Sequence, residues 1–329
     1  MTNRTHLTGE HTIRRVAIVG TGLIGASWAA HFLARGLDVV GTDPAPHAEQ
    51  ALRNYVERVW PVLTQIGLAP GADRKRLGFS GDVKAALTGA DFVQENGPER
   101  EDIKVRLFAE MDSLLPAEVI IASSSSTLAM SVLQRECRHP ERCVLGHPFN
   151  PPHLIPLVEV VGGRRTSRET LERVEQFYTR MGKRTIRLHK EIAGHVANRL
   201  QAALWREAAH LVAEGVVSVA DVDAAVSEGP GLRWSVMGPN LVFHLGGGAG
   251  GMAHFMEHLS GPFSRIWADL GRPELTPELK ATIIAGVEAE AAGRSREELE
   301  GIRDRAILSL LALRQGQAAQ TRPKPEIVD

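Results

Sequence analysis

The chain has 329 residues, a formal net charge of −1 and only two cysteines. That length supports a sizeable core and two domains, and the charge balance gives no electrostatic reason to expect nucleic acid or an anionic membrane as a partner. Cys137 and Cys143 make no disulfide framework, Met1 to Thr12 lacks an apolar signal core, and no apolar run nears the roughly 18 residues of a membrane span, so a soluble cytoplasmic protein is expected.

The first apolar run, Val16-Ala17-Ile18-Val19, predicts a buried strand. Gly20-Thr21-Gly22-Leu23-Ile24-Gly25 follows, and Leu23, Trp28, Phe32 and Leu33 then recur at helical spacing. Strand, glycine turn and helix in that order point to a dinucleotide site. The first glycine allows a tight turn, the second lets a pyrophosphate approach the backbone, and the third lets helix and strand pack closely. Free N–H groups at the helix start suit the phosphates. The pattern alone is weak, because 32 glycines in this chain produce about 0.3 such matches by chance. Context strengthens it. Leu37-Asp38-Val39-Val40-Gly41-Thr42-Asp43 reads as a second strand ending in an acid placed to hold ribose hydroxyls. Pro44-Ala45 follows with no arginine for a 2′-phosphate, which favours NAD over NADP.

A helix is predicted over 46–67, with a break at Pro70-Gly71. Short apolar runs then alternate with helical segments at 90–94, 119–122, 143–146, 157–161 and 185–188. Alternation of this kind predicts an α/β fold, a Rossmann-type doubly wound sheet with helices on both faces. From residue 191 the pattern turns helical, with Ile192, Val196, Leu200, Leu204, Leu211 and Val212 in phase. The expected organisation is a nucleotide-binding domain over 1–190, an all-α domain for substrate and dimerisation over 191–315, and a disordered tail over 316–329.

Ligands of open α/β sheets sit beyond the carboxyl ends of the strands, where three candidates fall. Ser123-Ser124-Ser125-Ser126-Thr127 follows the run at 119–122, serving either as helix caps or as part of a site. His147 follows the run at 143–146 and enters the rigid Pro148-Phe149-Asn150-Pro151-Pro152, suiting either a general base or a loop filler. Glu159 interrupts Leu157 to Val161. In a central strand it needs a donor or cation, and at an edge it faces water. Asn198 lies on a polar face of the first C-terminal helix, beside the apolar stripe.

Gly20 to Gly25 with Asp43, Ser123 to Thr127, His147 to Pro152, Leu157-Val158-Glu159-Val160 and Val196-Ala197-Asn198-Arg199 together resemble the 3-hydroxyacyl-CoA dehydrogenase family, in order and spacing across nearly the whole chain. The resemblance implies catalytic roles for Ser126, His147, Glu159 and Asn198. It implies cofactor contacts from Gly20, Gly22, Leu23, Ile24, Gly25, Asp43, Glu99, Lys104 and Asn150 to NAD. The Lys/Ser-bearing hairpin with which acyl-CoA members hold CoA is replaced by Tyr55-Val56-Glu57-Arg58-Val59-Trp60-Pro61. Pro148 to Pro152 and Gly229 to Trp234 look like the branch that oxidises small free 3-hydroxy acids such as L-gulonate and L-carnitine, and Met237 to Phe255 look most like its members acting on carnitine. The expected reaction is oxidation of a 3-hydroxyl with His147 as base and Glu159 orienting it. Phe149, Trp205, Trp234, Phe243 and Phe255 are candidates for a trimethylammonium pocket, with core packing as the alternative for each. Arg233 is a candidate carboxylate partner. The resemblance implies a homodimer formed with the help of the helical half, which carries apolar positions such as Leu308, Leu310 and Leu311 near its end. The alternatives are another short 3-hydroxy acid and a non-catalytic crystallin-like protein.

Two further patterns are set aside. Gly246-Gly247-Gly248-Ala249-Gly250-Gly251 also fits the glycine motif, but no strand-ending acid follows it, and it is read as a loop. His254-Phe255-Met256-Glu257-His258 fits an inverted zinc-protease pattern, but is read as a solvated helix face, with no metal expected.

Overall fold

A computed structural model describes residues 12–321. Among them eight strands form one sheet: β1 Arg15–Val19, β2 Asp38–Thr42, β3 Leu77–Phe79, β4 Phe92–Glu95, β5 Ile120–Ser123, β6 Cys143–Pro148, β7 Leu157–Gly162 and β8 Arg184–Leu188. The order is β3-β2-β1-β4-β5-β6-β7-β8. Every neighbouring pair is parallel except β6 and β7, which run antiparallel. Side chains alternate across each strand, so Val16 and Ile18 join one apolar cluster while Ala17 and Val19 join the other. Burial on both faces explains why these strands read as unbroken apolar runs rather than alternating ones.

The first six helices cover those faces: α1 Leu23–Ala34, α2 Ala48–Ile66, α3 Val83–Leu87, α4 Glu101–Leu114, α5 Met130–Leu133 and α6 Arg168–Arg180. In α1 every residue from Gly25 to Ala34 is buried, as an apolar helix wedged between sheet and neighbours must be. Helix α2 buries only Leu52, Val56, Val59 and Leu63, one stripe at helical spacing. Trp28 and Phe32 of α1 pack with Phe177 of α6 on one face of the sheet, and Phe108 and Met111 of α4 pack on the other.

Seven helices follow: α7 Ala197–Ala213, α8 Val219–Ser227, α9 Pro230–Trp234, α10 Pro239–Gly246, α11 Gly251–Asp269, α12 Pro277–Ala291 and α13 Arg296–Thr321. The chain divides into two compact units between Arg199 and Leu200. The division falls later than the position expected at 190/191, because the first turn of α7 is bonded to the sheet unit, as described below. The tail expected from residue 316 does not begin there. Helix α13 continues to Thr321 through Gln, Ala and Gln, good helix formers, and Pro323 is the first strong breaker. Residues 322–329 of that expected tail lie outside the described residues.

Candidate active site

Because β1, β2, β4, β5 and β6 are parallel, their carboxyl ends share one edge of the sheet, and the order reverses between β1 and β4. A crevice belongs at that switch point. A cleft of about 730 Å³ lies there, lined by Gly20, Gly22, Asp43, Asn96 and Gly97 among others.

The glycine turn fits a dinucleotide position by position. Gly20 has φ +87°, and a Cβ there would lie 2.7 Å from the Asn96 carbonyl. A Cβ on Gly25 would lie 1.9 Å from the Gly20 oxygen, so helix and turn touch backbone to backbone. Gly22 has nothing within 4 Å of its missing Cβ. Its bareness serves no protein neighbour and leaves the approach to the α1 N-terminus open, where no side chain caps the free N–H groups. Leu23 and Ile24 form the first turn of that helix. The Asp43 carboxylate accepts from the Thr21 amide at 2.7 Å and the Ala45 amide at 2.9 Å, which fixes it on the cleft wall. The Thr21 and Thr42 hydroxyls beside it are buried and without a partner among the described residues. These residues fit NAD: α1 amides for the pyrophosphate and Asp43 for the ribose.

The antiparallel step builds the second half of the site. In the β6–β7 ladder His147 pairs directly with Glu159, on the same face of the sheet. Parallel pairing would not set a residue from the end of one strand opposite one from the start of the next. His147 Nδ1 lies 2.8 Å from Glu159 Oε2, with both side chains buried. The other carboxylate oxygen accepts from the Val196 and Ala197 amides, at 2.9 and 3.0 Å, capping the start of α7. Burial pushes the Glu159 carboxyl up, but the bonds from His147 and the two amides outweigh it and hold it below the usual range. Glu159 is therefore ionised at neutral pH and Nδ1 donates to it. That leaves His147 Nε2 as a lone pair, 3.0 Å from the Ser126 hydroxyl, which donates to it. Phe149 meets the His147 ring edge-on at 5.3 Å.

Glu99 organises the serine loop. Its Oε1 accepts from the Ser126 amide at 2.9 Å, the Thr127 amide at 2.7 Å and the Ser125 and Thr127 hydroxyls. Burial pushes its carboxyl up, and the Ser125 and Thr127 bonds with nearby Lys104 bring it below the ordinary value. Lys104 is itself buried, its Nζ held by both oxygens of Glu95 at 2.7 and 2.8 Å. Its direct partner is thus a carboxylate and not open cleft. Asn150 is exposed, and Asn198 is half-buried in the first turn of α7, one residue beyond the amides that hold Glu159.

Two groups escaped sequence reasoning. Glu95, at the end of β4, ties Lys104 to the Ser123 hydroxyl, and the only hint was an acid closing an apolar run. His195 has φ +50°, is 3% exposed, and sits 4.8 Å from the His147 ring between centroids. Its Nε2 donates to the Ser125 carbonyl at 3.1 Å, and its Nδ1 is buried without a partner among the described residues. Burial holds it below the usual histidine value, and so keeps it neutral. Gly194 before it, also at positive φ, was the available signal.

The remaining candidates belong to the helical unit. Phe243 and Phe255 stack at 4.7 Å and both meet Phe263, an aromatic cluster in which Phe255 is buried. Trp205, Arg233 and Trp234 are exposed.

Residues 15–192 match the family model for the 3-hydroxyacyl-CoA dehydrogenase NAD binding domain, and residues 194–272 match that for the C-terminal domain. The chain is 49% identical over 305 residues to an L-carnitine dehydrogenase of Streptomyces coelicolor, covering 93% of this chain and 96% of the relative. To an L-carnitine dehydrogenase of Bacillus cereus it is 46% identical over 310 residues, covering 94% and 95%. Among solved structures, a 5-formyl-3-hydroxy-2-methylpyridine 4-carboxylic acid 5-dehydrogenase, an NAD+ dependent dismutase, is similar with a TM-score of 0.80 and 32% identity, over 93% of this chain and 99% of that one. A glycine turn shaped for NAD, a histidine–glutamate pair and two matching domains agree: the chain belongs to the 3-hydroxyacyl-CoA dehydrogenase family and is an NAD-dependent dehydrogenase.

Proposed function

We propose that the chain oxidises the 3-hydroxyl of L-carnitine to the ketone, 3-dehydrocarnitine. The observation that carries the chemistry is the unbroken relay Ser126–His147–Glu159–α7 amides. The substrate comes from the relatives named above, alike over more than nine-tenths of this chain.

Bound NAD supplies the hydride acceptor. His147 Nε2 takes the proton from the hydroxyl oxygen as hydride leaves the carbon that bears it and the C=O bond forms. Glu159, already ionised, offsets the imidazolium charge and keeps the ring in the productive tautomer. The Ser126 hydroxyl donates to Nε2 in the free enzyme and turns to the substrate oxygen when that oxygen arrives. Asn198 steadies the substrate near Glu159. Glu99 acts by holding the serine loop, and Lys104 acts through Glu95 and Glu99. Phe149 offers an aromatic face beside the base, where a trimethylammonium, unable to donate a hydrogen bond, gains about 2 kcal/mol if desolvated. Trp205, Trp234, Phe243 and Phe255 remain candidates for contact with the trimethylammonium, and Arg233 for contact with the carboxylate.

We also infer a homodimer. Leu232, Leu241, Leu245, Ile266 and Trp267 of the helical unit are exposed, more apolar surface than an isolated chain needs. A cytoplasmic location is our reading of the sequence. Among the described residues no helix is long and apolar enough to cross a membrane.

The deciding experiment follows NADH absorbance with carnitine, gulonate, 3-hydroxybutyrate and a 3-hydroxyacyl-CoA, for the native chain and His147→Ala. Carnitine is expected to be the preferred substrate. The variant should lose about 10²-fold or more in kcat while still binding NAD, the range of general-base effects. Preference for gulonate would overturn the substrate. Near-native turnover in the variant would remove His147 from its role.

A further inference from the structure

The reaction leaves one chemically loaded stretch unused. His254, Glu257 and His258 lie at positions i, i+3 and i+4 of α11, and so on one face of the helix. One donor atom from each lies within 4.8 Å of the other two, and all three residues are exposed. The imidazole centroids are 4.0 Å apart with the rings tilted by 38°.

The tautomer of one ring is set. His258 Nδ1 lies 3.0 Å from the His254 carbonyl oxygen, which can only accept, so Nδ1 carries the proton and Nε2 keeps its lone pair. A backbone carbonyl orienting an imidazole in this way is the usual support of a metal-binding histidine. Helix α11 also carries Pro262, which has no N–H to give to the His258 carbonyl four residues back. The helix is thus weakened one turn beyond the trio.

We propose that this face of α11 binds one divalent transition-metal ion through His254, His258 and Glu257. Two imidazole nitrogens and one carboxylate oxygen favour zinc, nickel or copper over the oxygen-seeking magnesium and calcium. Zn–N bonds near 2.0–2.1 Å in a tetrahedron put donors roughly 3.4 Å apart. The side chains therefore close by up to about 1.4 Å from their present spacing, within reach of torsional changes in exposed groups. All three donors come from one helical turn, and water completes the coordination. Glu257 serves as a ligand and not as a hydrolytic base, and none of the three belongs to the NAD or histidine–glutamate machinery. The ion staples the turn before Pro262 and stiffens the helix.

The test uses the full-length chain without a histidine tag, stripped with chelator and titrated with zinc chloride in a calorimeter at pH 7.5. One zinc per chain is expected, with no heat from magnesium chloride. His254→Ala and His258→Ala should each weaken binding about tenfold or more, and Glu257→Gln less. Zinc should raise the melting temperature of the native chain only. Without zinc, the variants should melt and produce NADH as the native chain does. No heat above background, equal zinc binding in the His254→Ala/His258→Ala double variant, or equal competition by magnesium would each overturn the proposal.

Discussion

Two stretches satisfy the same glycine pattern, Gly20 to Gly25 and Gly246 to Gly251, and the protein uses them for unrelated purposes. In the first, Gly20 and Gly25 face backbone at 2.7 and 1.9 Å, while Gly22 faces open cleft. In the second the glycines follow helix α10 instead of a strand. Gly248 has nothing within 4 Å, and Gly251 at φ +58° faces the His244 ring. Glycine is required in the first by crowding against neighbouring backbone plus a ligand path, and in the second by crowding within the turn itself, where a Cβ on Gly247 would lie 1.8 Å from the Gly251 oxygen, and by backbone direction at Gly248 and Gly251. What separates them is what precedes and follows, a parallel strand before and the Asp43 strand after, which a six-letter pattern does not contain.

The comparison breaks most visibly at Gly25. Its Cβ would strike the Gly20 carbonyl, part of the backbone and unable to swing aside, so Gly25→Val must part α1 from β1. About 3 kcal/mol or more of stability should be lost, seen as a fall of roughly 10 °C in melting temperature. A variant that melts like the native chain would refute the packing argument.

Gly22→Glu tests the opposite case, a glycine kept for the ligand. Nothing lies within 4 Å of its Cβ position, so the fold should melt normally. A carboxylate where the pyrophosphate belongs should weaken NAD binding about 100-fold, measured by quenching of tryptophan fluorescence. Loss of stability with unchanged NAD affinity would reverse the assignment.

Much of this was legible in the sequence, for a physical reason. Buried strands must be continuous apolar runs, so β1, β2 and β4 to β7 showed themselves, while the half-buried edge strand β8 showed itself by the alternation of Thr185, Ile186, Arg187 and Leu188. The three-residue edge strand β3, with Gly78 at its centre, had too little side chain to register. The motif residues of the site could be named, but the contact between His147 and Glu159 depends on β7 reversing direction, and pairing direction leaves no mark in local composition. The alternatives for Glu159 were settled by its place between β6 and β8. His195 was missed because its importance lies in a positive φ and a buried ring, both visible only in three dimensions.

Acid should separate the two units. The first holds His31, His195, Glu99, Asp112 and Glu159, all with pKa values below their ordinary ones. Such groups bind more protons when unfolded. Their stabilising contribution is complete above the unfolded values and is lost as pH falls, first below about 6.5 for the histidines and then below about 4.5 for the carboxylates. Among the described residues of the helical unit only the exposed Glu278 is shifted. Hydrogen exchange read by mass spectrometry between pH 7.5 and 5 should therefore show protection falling in β5 to β7 before it falls in α11 and α12. A uniform loss would refute the contrast.

The smallest effect is expected at Gly248, and it isolates the other meaning of glycine. At φ +59° an alanine bears the left-handed penalty of about 1–2 kcal/mol, yet nothing lies within 4 Å for its methyl to strike. Alanine also restricts the unfolded chain, which returns about 0.4–1 kcal/mol. Gly248→Ala should then lower stability by only about 1 kcal/mol and leave NAD affinity unchanged, since this turn follows a helix and lacks the preceding strand and the following strand-ending acid of the Gly20 turn. The readout pairs a melting curve with the same fluorescence titration used for Gly22→Glu. Weaker NAD binding in Gly248→Ala would mean that the second glycine cluster shares the work of the first, and the distinction between the two clusters would no longer hold.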